Sequence, residues 1–520
     1  MNKVLALLCL IPFCSSSCEL EQFSDTLRVS INSEKHFQTI DGFGASDAWR
    51  CQFVGKNYPI VKKEQLADWL FSQKFDQDGN PKGIGLSIWR TELGAGSTEQ
   101  GDESGIANVW RRGESFLNED GTYDWSRMEG QKWFLKAAQK RGVEQFLAFN
   151  NAPPVNYSMN GKAFATKGNL NYNLKSDQFD DFTTYLVKLI KHFEEDEGIR
   201  FDYISPINEP QWAWDKGNQE GSPATNEDIF KLTKGLSEKL IKNNLKTQLT
   251  VGEAGQINYL YKSVKPYSPD NQIEAFWSKN SPLYLGNFSN VKKVISGHSY
   301  FTTWPINKQV STRKELRQQL DVVDPDLAYW MSEFCILEKN DEIGQGGGRD
   351  LGMNTALYYT RVIHNDLTIA NASSWQYWTA VSNHDYKDGL VYVDKGNNGI
   401  NGIKHPDAFA LMQDGEIRDS KSLWAFGNYA RFIRPGFKRI DVAGGNENLL
   451  ISAFQNPVNG AITMVVVNLG TDNSKLNIDF APKVLKAKYV TNDRSNLASS
   501  KGSELNLSCS ARSVSTLVFE

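Results

Sequence analysis

Two glutamates in this sequence each follow an apolar, aromatic run of residues. Glu209 follows FDYISPIN (201–208), and Glu333 follows LAYWMS (327–332). Each run predicts a short buried strand, and a carboxylate at the C-terminal end of a parallel strand faces the mouth of an α/β barrel, where such folds carry their chemistry. Two carboxylates on two such strands are typical of glycoside hydrolysis. We therefore predict that Glu209 is the general acid/base and that Glu333 is the nucleophile.

Four further polar side chains are predicted to surround this pair. Asn208 precedes the acid/base glutamate and can hydrogen-bond a sugar 2-hydroxyl, a contact that strengthens in the transition state. Arg90 ends the second predicted strand, and His298 and Tyr300 lie near the end of the sixth, where they can donate to the nucleophile and favour its ionised form. A buried salt bridge or hydrogen bond would explain Arg90 or His298 taken alone. Their shared position at strand ends favours the functional interpretation.

Aromatic residues make up 12% of the chain and include 14 Trp. Aromatic rings stack on the C–H faces of sugars, although core packing accounts for most aromatic residues in any protein. Trp378, near the end of the eighth predicted strand, is predicted to form the floor beneath the sugar that is cleaved. Trp212, in the loop after Glu209, is predicted to stack on the leaving group.

Strand-like runs alternate with helical patterns between residues 42 and 428. Eight strands that are each followed by a helix predict a (β/α)₈ TIM barrel of the α/β class. A doubly wound sheet would give the same alternation, but the count of eight and the acids at strand ends favour the barrel. The strand-like runs are 42–46, 83–93, 144–151, 201–210, 248–255, 291–300, 327–337 and 372–381, and the clearest helical patterns are 124–142, 179–196 and 226–244.

Residues 429–520 predict a different architecture. Short strand-like runs separated by Gly, Asn, Pro and Asp turns are typical of a small antiparallel β-domain. Residues 19–41 are predicted to join this domain, because strand-like alternation is present there and both segments flank the barrel. The predicted fold is therefore a TIM barrel at 42–428 with an appended antiparallel β-sandwich.

The N-terminus predicts export. Lys3 precedes the apolar run VLALLCLIPF (4–13), which is too short to span a bilayer and fits the core of a signal peptide. Residues 1–17 are predicted to be a lipoprotein-type signal peptide, with Cys18 lipidated as the first mature residue. The protein would then be an outer-membrane or cell-surface lipoprotein. Lipoprotein signals usually have an aliphatic residue three positions before the lipidated cysteine, whereas this chain has Ser15 there. Plain secretion after Ser17, or a periplasmic location, is therefore the alternative.

Charge and cysteine content exclude several other classes of function. The net charge of −4 and the pI of about 6.0 do not indicate a nucleic-acid partner, and membrane contact is expected only through the lipid anchor. No CxxC pair, HExxH motif or histidine cluster occurs, so neither a metal nor a cofactor is predicted. The expected partner is a polysaccharide substrate.

Seven motifs occur in order along nearly the whole mature chain. They are GFGAS (42–46), GLSIWRTELG (85–94), SPINEPQW (205–212), ISGHSY (295–300), WMSEF (330–334), SWQYW (374–378) and NYARFIRPG (428–436). Together they resemble glycoside hydrolase family 30. The resemblance implies a barrel with a β-sandwich built from both termini, and a retaining mechanism with Glu209 as acid/base and Glu333 as nucleophile.

The resemblance also implies two further sugar-binding positions. Asp47 matches a family aspartate near the first strand, although its spacing after GFGA is shorter here. After the third strand many relatives have Ser-Pro-Trp, whereas this chain has NNAPP (150–154), which includes Asn151. That departure is expected to alter the sugar pocket and argues against glucosylceramidase specificity.

Within the family, the sequence looks most like the endo-β-1,6-galactanase group. The segments that carry this resemblance are NEPQWAW (208–214), QEGS (219–222) and GASDAWRCQFVG (44–55). We therefore expect a retaining endo-glycosidase that cleaves β-1,6-galactan, such as the side chains of arabinogalactan. A β-1,6-glucanase or an exo-acting β-glycosidase of the same family is the alternative enzyme, and a glycan-binding surface lipoprotein is the alternative without catalysis.

Overall fold

A computed structural model describes residues 26–264, 269–395, 409–479 and 484–520. The predicted signal peptide and the predicted lipidation of Cys18 lie outside the described residues. Within them, no helix combines the length and the apolar character needed to cross a bilayer.

Eight parallel strands close into a barrel, which confirms the predicted fold class. Each strand hydrogen-bonds to the next in chain order, and the last pairs with the first through Gly42–Ser374 and Ala45–Tyr377. Large apolar side chains such as Ile88, Phe149 and Trp330 fill the interior. The barrel strands are β2 (Gly42–Ser46), β3 (Ile88–Glu92), β4 (Gln145–Phe149), β5 (Tyr203–Ser205), β6 (Gln248–Ala254), β7 (Val291–His298), β8 (Ala328–Phe334) and β9 (Ala372–Tyr377).

Helices cover the outside of the barrel, and their apolar faces pack inward. Helix α5 shows the pattern, because Phe182, Leu186 and Phe193 recur at helical spacing and are all buried. Helix α6 begins at a capping box in which Thr225 and Asp228 satisfy each other's backbone N–H. The helices are α1 (Arg50–Asn57), α2 (Ile60–Phe71), α3 (Ser97–Gln100), α4 (Glu129–Lys140), α5 (Phe179–Glu195), α6 (Asn226–Lys242), α7 (Gln272–Trp277), α8 (Ile306–Val323), α9 (Met353–Thr368) and α10 (Lys421–Ala430), with 3₁₀ turns at Gly101–Ser104, Val109–Arg111, Ile257–Leu260 and Gly502–Glu504.

A nine-stranded sheet joins the two ends of the chain. The N-terminal strand β1 (Leu27–Thr39) pairs antiparallel with β13 on one side and parallel with β16 on the other. The remaining neighbours in this sheet are antiparallel. The other strands of the sheet are β13 (Lys438–Ala443), β14 (Leu449–Gln455), β15 (Ile462–Asn468), β16 (Ser474–Asp479), β17 (Leu485–Thr491), β18 (Ala498–Ser499), β19 (Ser508–Cys509) and β20 (Ser513–Phe519).

The nine-stranded sheet is buried on both faces along its central strands. In β15, Met464 and Val466 contribute to a core inside the sandwich, together with Val29 of β1. Val465 and Val467 point the other way and join the core of the barrel. Because side chains alternate between the two faces of a strand, β15 contributes to the core of the nine-stranded sheet on one face and to the core of the barrel on the other.

A third, small sheet lies after the last barrel strand. It contains β10 (Thr379–Ser382), β11 (Gly389–Asp394) and β12 (Glu416–Asp419). The predicted strand at 372–381 is thus divided in two, and Trp378 occupies the break. A residue at such a break leaves the barrel wall, and its side chain reaches the mouth of the barrel.

Candidate active site

The C-terminal ends of the barrel strands bring one group of charged side chains together. Arg90 comes from β3, Glu209 from the loop after β5, His298 from β7 and Glu333 from β8. All four are buried, with exposed fractions of 0% for Arg90 and His298, 6% for Glu209 and 3% for Glu333. Buried charges are tolerated only when they are paired, and these groups pair with one another.

Glu333 accepts hydrogen bonds on both carboxylate oxygens. Arg90 Nη1 donates to Oε2 at 2.5 Å, and the Tyr300 hydroxyl donates to Oε1 at 2.9 Å. Arg90 itself stacks 3.7 Å from the centre of the Phe149 ring, which holds the guanidinium plane in place. These two donors hold the Glu333 carboxyl group in a fixed orientation toward the barrel mouth.

Glu209 lies in a different environment from Glu333. Burial raises the pKa of its carboxyl, and the hydrogen bond from His298 Nδ1 at 2.8 Å offsets only part of this, so the net pKa is raised. Its backbone has a φ of 46°, in the left-handed region that non-glycine residues rarely adopt. Two bonds hold it there, from Glu209 N to the Glu253 carbonyl at 2.9 Å and from Trp214 Nε1 to the Glu209 carbonyl at 3.0 Å.

A third carboxylate, Glu253 of β6, was not among the predicted site residues. It accepts from Arg90 at 3.2 Å, His298 Nε2 at 3.1 Å and Ser332 at 2.9 Å. Burial alone would raise its pKa, but Arg90, His298 and Ser332 lower the net value. The signal was present in the sequence, since Glu253 ends the predicted strand at 248–255 in the same way that Glu209 and Glu333 follow theirs.

His298 is held as an imidazolium between these acids. Burial would lower its pKa, but the charge of Glu333 and the hydrogen bonds to Glu209 and Glu253 raise it to about 10. Both ring nitrogens then donate, Nδ1 to Glu209 and Nε2 to Glu253. The ring therefore orients Glu209 and does not compete with it as a base.

The spacing of Glu209 and Glu333 fits one of the two known arrangements for glycosidases. One carboxylate oxygen of each lies within 4.8 Å of the other. Retaining enzymes place their two carboxyl groups about 5–5.5 Å apart, whereas inverting enzymes leave about 6.5–9.5 Å for a water molecule. The site can therefore support nucleophilic attack by one carboxylate while the other moves a proton.

The same three side chains, Glu209, His298 and Glu333, have the proximity of a metal-ligand set. A histidine must be neutral to bind a metal ion, and His298 is protonated here. Both oxygens of Glu333 already accept hydrogen bonds from Arg90 and Tyr300. The donor set fits proton transfer and does not fit a metal ion.

A cavity of about 550 Å³ opens above the two acids. Trp212 and Trp214 line one side of it, and Trp378 lines another, packed edge to face against Trp49 at 5.6 Å between ring centres. The other lining residues are Arg111, Asn208, Glu209, Ala213, Asp215, Lys216, Gly217, Asn218, Gln219, Tyr300, Phe301, Glu333 and Leu337. Apolar rings beside convergent polar groups are typical of a small-molecule or sugar site.

Six of the predicted site residues line this cavity, and two lie directly beneath it. The six are Asn208, Glu209, Trp212, Tyr300, Glu333 and Trp378. Arg90 and His298 contact the acids from below.

The other two predicted binding residues lie farther from the cavity. Asn151 accepts a hydrogen bond from Asn208 Nδ2 at 3.0 Å and is buried. Asp47 is fully buried, and its oxygens accept from Glu92 N at 2.9 Å and Gln131 Nε2 at 3.1 Å. Within the described part of the chain, neither belongs to the lining of the cavity.

Arg111 lines the cavity but was not singled out by sequence reasoning. Arg111 lies in the long segment after β3, and its guanidinium donates to Gln219 at 3.0 Å. Loop residues of this kind follow no strand or helix pattern, so only the fold brings them to the cavity.

Two family models match the chain. The model described as O-Glycosyl hydrolase family 30 matches residues 26–392, and the Glycosyl hydrolase family 30 beta sandwich domain matches residues 436–517. An endo-beta-1,6-galactanase of Hypocrea rufa is 25% identical over 226 residues, which cover 39% of this chain and 45% of the galactanase. The chain thus matches less than half of the length of that curated relative.

Solved structures show the same architecture. A conserved exported protein from Bacteroides fragilis is 36% identical with a TM-score of 0.86, over 94% of this chain and 99% of that one. Xylanase C from Talaromyces cellulolyticus is 20% identical with a TM-score of 0.66, over 95% and 100% of the two chains. An endo-beta-1,6-glucanase is 18% identical with a TM-score of 0.62, over 94% and 93%, and these last two likenesses show the fold alone. Since one family model covers well over half of its length, this chain belongs to glycoside hydrolase family 30.

Proposed function

We propose that this protein is a retaining endo-glycosidase that cleaves β-1,6-linked galactan, such as arabinogalactan side chains. The observation that carries the proposal is a pair of buried carboxyls at retaining distance: Glu333 accepts hydrogen bonds from Arg90 and Tyr300, and Glu209 has a raised pKa. Because the surroundings of the two carboxyls differ in this way, we assign Glu333 as the nucleophile and Glu209 as the acid.

The reaction proceeds by double displacement. Glu333 attacks the anomeric carbon and forms a covalent glycosyl-enzyme, while Glu209 protonates the departing glycosidic oxygen. Glu209 is then a base and takes a proton from water, which attacks the same carbon and releases Glu333. Asn208, which lines the cavity, would hydrogen-bond the 2-hydroxyl of the reacting sugar, and Trp378 and Trp212 would stack on the sugars on either side of the cleaved bond.

The choice of galactan has support from sequence. The Hypocrea rufa relative is an endo-beta-1,6-galactanase, and QEGS (219–222) and GASDAWRCQFVG (44–55) resemble that group. Gln219 lines the cavity in the same loop as Trp212 and Trp214, and Trp49 of the second segment packs against the lining residue Trp378.

One digestion tests the proposal. Debranched arabinogalactan and β-1,6-glucan are incubated in parallel with the enzyme and with Glu209→Gln as the inactive control, and the products are sized. We expect a series of galacto-oligosaccharides whose new ends first appear as the β-anomer by NMR. Release of single galactose units alone would show exo action, cleavage of the glucan alone would reassign the substrate, and binding without turnover would support the non-catalytic alternative.

We also infer that the protein is an exported lipoprotein. The support is the N-terminal sequence, with Cys18 after three serines, and the likeness to a conserved exported protein. Cells that express the full chain or Cys18→Ser are labelled with radioactive palmitate and fractionated. Label in the membrane fraction that is lost in C18S is expected, and equal behaviour of both chains would favour plain secretion.

A further inference from the structure

The QEGS segment places Glu220 in a buried cradle of hydrogen-bond donors. Its carboxylate accepts from Ala95 N at 2.8 Å, Ser97 N at 3.2 Å, Ser97 Oγ at 2.6 Å and Gly113 N at 3.1 Å. A Cβ on Gly113 would lie 2.8 Å from Glu220 Oε2, so glycine is needed there for the close approach. No Lys, Arg or His forms an ion pair with Glu220 among the described residues. Burial raises the pKa of its carboxyl, and these donors offset only part of that rise.

The carboxyl of Glu92, at the end of β3, lies close enough to that of Glu220 for the charge of Glu220 to raise its pKa. Both side chains are buried, with exposed fractions of 1% and 0%. Two buried carboxyls side by side disfavour the state in which both are ionised, because like charges repel. Burial and the nearby charges of Glu220 and Asp47 raise the pKa of Glu92, which makes Glu92 the protonated partner.

A chain of side-chain amides connects this pair to the active site. Asn151 Nδ2 donates to Glu92 Oε1 at 3.5 Å, and Asn208 Nδ2 donates to Asn151 Oδ1 at 3.0 Å. At the other end, Arg90 Nη2 donates to Asn208 Oδ1 at 3.0 Å. Fixed partners at both ends allow only one orientation of each amide. The second N–H of Asn208 is then left to the cavity that Asn208 lines.

We propose that Glu92 is a positioning residue for glycoside hydrolysis: through Asn151 it fixes the Asn208 amide that donates to the substrate's 2-hydroxyl. The inference rests on the proposed function. It also gives the QEGS segment a role. Glu220 anchors the loop that holds Trp214 and Gln219 beside Glu92, the first residue of the Glu92–Asn151–Asn208 contacts.

The first test compares Glu92→Gln with Glu92→Ala. Glutamine keeps a donor toward Glu220 and an acceptor toward Asn151, so E92Q should retain kcat/KM within a few-fold of the unaltered enzyme. E92A removes both groups, and we expect a loss of about 10- to 100-fold, mainly in kcat, because the amide loses its fixed position. An E92Q variant as impaired as E92A would overturn the proposal, because it would mean that Glu92 acts as an anion. The control is Glu99→Ala, which removes a partly exposed carboxyl from the same region whose partners, Ser115 N and Arg127, lie outside the Glu92–Asn151–Asn208 contacts.

A second readout separates positioning from a general loss of structure. An aryl β-1,6-galactobioside is compared with its analogue that lacks the 2-hydroxyl on the sugar to be cleaved. In the unaltered enzyme and in E99A the analogue should be the much poorer substrate, and in E92A this discrimination should shrink. A discrimination ratio unchanged in E92A would refute a connection between Glu92 and Asn208.

The protonation of Glu92 is tested without any substrate. Infrared difference spectra between the unaltered protein and E92Q at neutral pH should contain the carbonyl band of a protonated carboxyl. Absence of this band would refute the protonation of Glu92, whatever the substrate proves to be. If the enzyme cleaves β-1,6-glucan instead, only the proposed substrate fails, and the kinetic comparison is repeated with the corresponding gluco-substrates.

Discussion

Arg90 contacts three polar groups of the site at once. Its guanidinium reaches Glu333, Glu253 and Asn208, and its flat face stacks on Phe149. A planar fork of donors can satisfy several acceptors in fixed directions, which a lysine ammonium cannot. Arg90 on β3 is therefore the side chain that connects the two carboxylates and the amide of this site.

The nucleophile can be tested by chemical rescue. Replacement of Glu333 by Ala should lower kcat by more than about 10⁴-fold, because no other group can form the covalent intermediate. Azide should enter the vacated space and restore turnover of an activated aryl glycoside, and the product should be a glycosyl azide of inverted configuration by NMR. Asp341→Ala, an exposed acid after the same strand, is the control and should behave as the unaltered enzyme. A glycosyl azide with retained configuration, or no rescue at all, would count against Glu333.

The pH dependence of activity should report the contact between His298 and Glu209. A general acid must be protonated, so the raised pKa of Glu209 extends activity toward higher pH before it falls. The imidazolium lowers this pKa, so His298→Gln should raise it and move the alkaline limb of kcat/KM to higher pH. A loss of kcat of about 10²-fold should accompany the shift. The exposed His36→Gln is the control, and a limb that stays in place or moves to lower pH would contradict the assigned contact.

Sequence reasoning identified most of these residues, but it did not predict their backbone conformation. A buried run followed by an acid was sufficient to find Glu209 and Glu333, and the same rule applies to Glu253. The positive φ of Glu209 could not be predicted, because it depends on a hydrogen bond from the side chain of Trp214 and on one to the carbonyl of Glu253, which lies on another barrel strand. The position of Asp47 was equally hidden, since its partner Gln131 lies in a helix with no motif.

At the scale of elements, α1 and α4 approach each other through two glycines. A Cβ on Gly130 would lie 1.8 Å from the Gln52 carbonyl oxygen, and one on Gly55 would lie 2.2 Å from the Gly130 carbonyl oxygen. Neither helix could stay at this distance with a side chain at the contact. Gly130 N also donates a hydrogen bond to Gln52 Oε1 at 2.9 Å.

Two glycine-to-alanine changes should therefore have opposite effects on stability. Gly130→Ala should lower the free energy of unfolding by roughly 1–3 kcal/mol, because the helices must move apart. Gly235→Ala in α6 should raise it by roughly 0.5–1 kcal/mol, because the new methyl meets only Thr183 at an ordinary 3.5 Å and the helix gains propensity. Urea unfolding measures both values, and a stable G130A would mean that the helices are not in contact there.

The strands could be located from the sequence more readily than their ends. All eight predicted runs contain a barrel strand, because parallel strands buried on both faces are apolar along their length. The eighth run is interrupted after Tyr377, where Trp378 N donates to the Phe334 carbonyl at 3.0 Å. This bond between neighbouring chain segments has no local signal, so one continuous strand was the natural prediction.

At the scale of the whole molecule, the barrel and the nine-stranded sheet share one hydrophobic core. Phe43 of β2, Phe426 of α10, Val465 of β15 and Val514 of β20 belong to the same buried cluster. Arg431 adds hydrogen bonds across the junction to the carbonyls of Ser72, Gly83, Gln73 and Lys74. A hydrophobic core shared by both units is typical of a rigid junction and not of a flexible interface between domains.

Unfolding in urea should accordingly occur in one transition. Tryptophan fluorescence reports mainly on the barrel and far-ultraviolet circular dichroism on both units, and the two curves should coincide. Arg431→Met, which removes the bonds across the junction, should lower the midpoint without separating the curves. Two resolved transitions in the unaltered protein would show that the units are stable independently.

The position of β1 also has a consequence for how the chain reaches this fold. Arg28 and Asp479, on the adjacent strands β1 and β16, form a salt bridge although they are 451 positions apart in the sequence. The first strand therefore has no sheet to join until the last part of the chain has been made. Contacts of such long range slow folding, and a nascent chain whose opening strand must wait for its final strands stays open for longer.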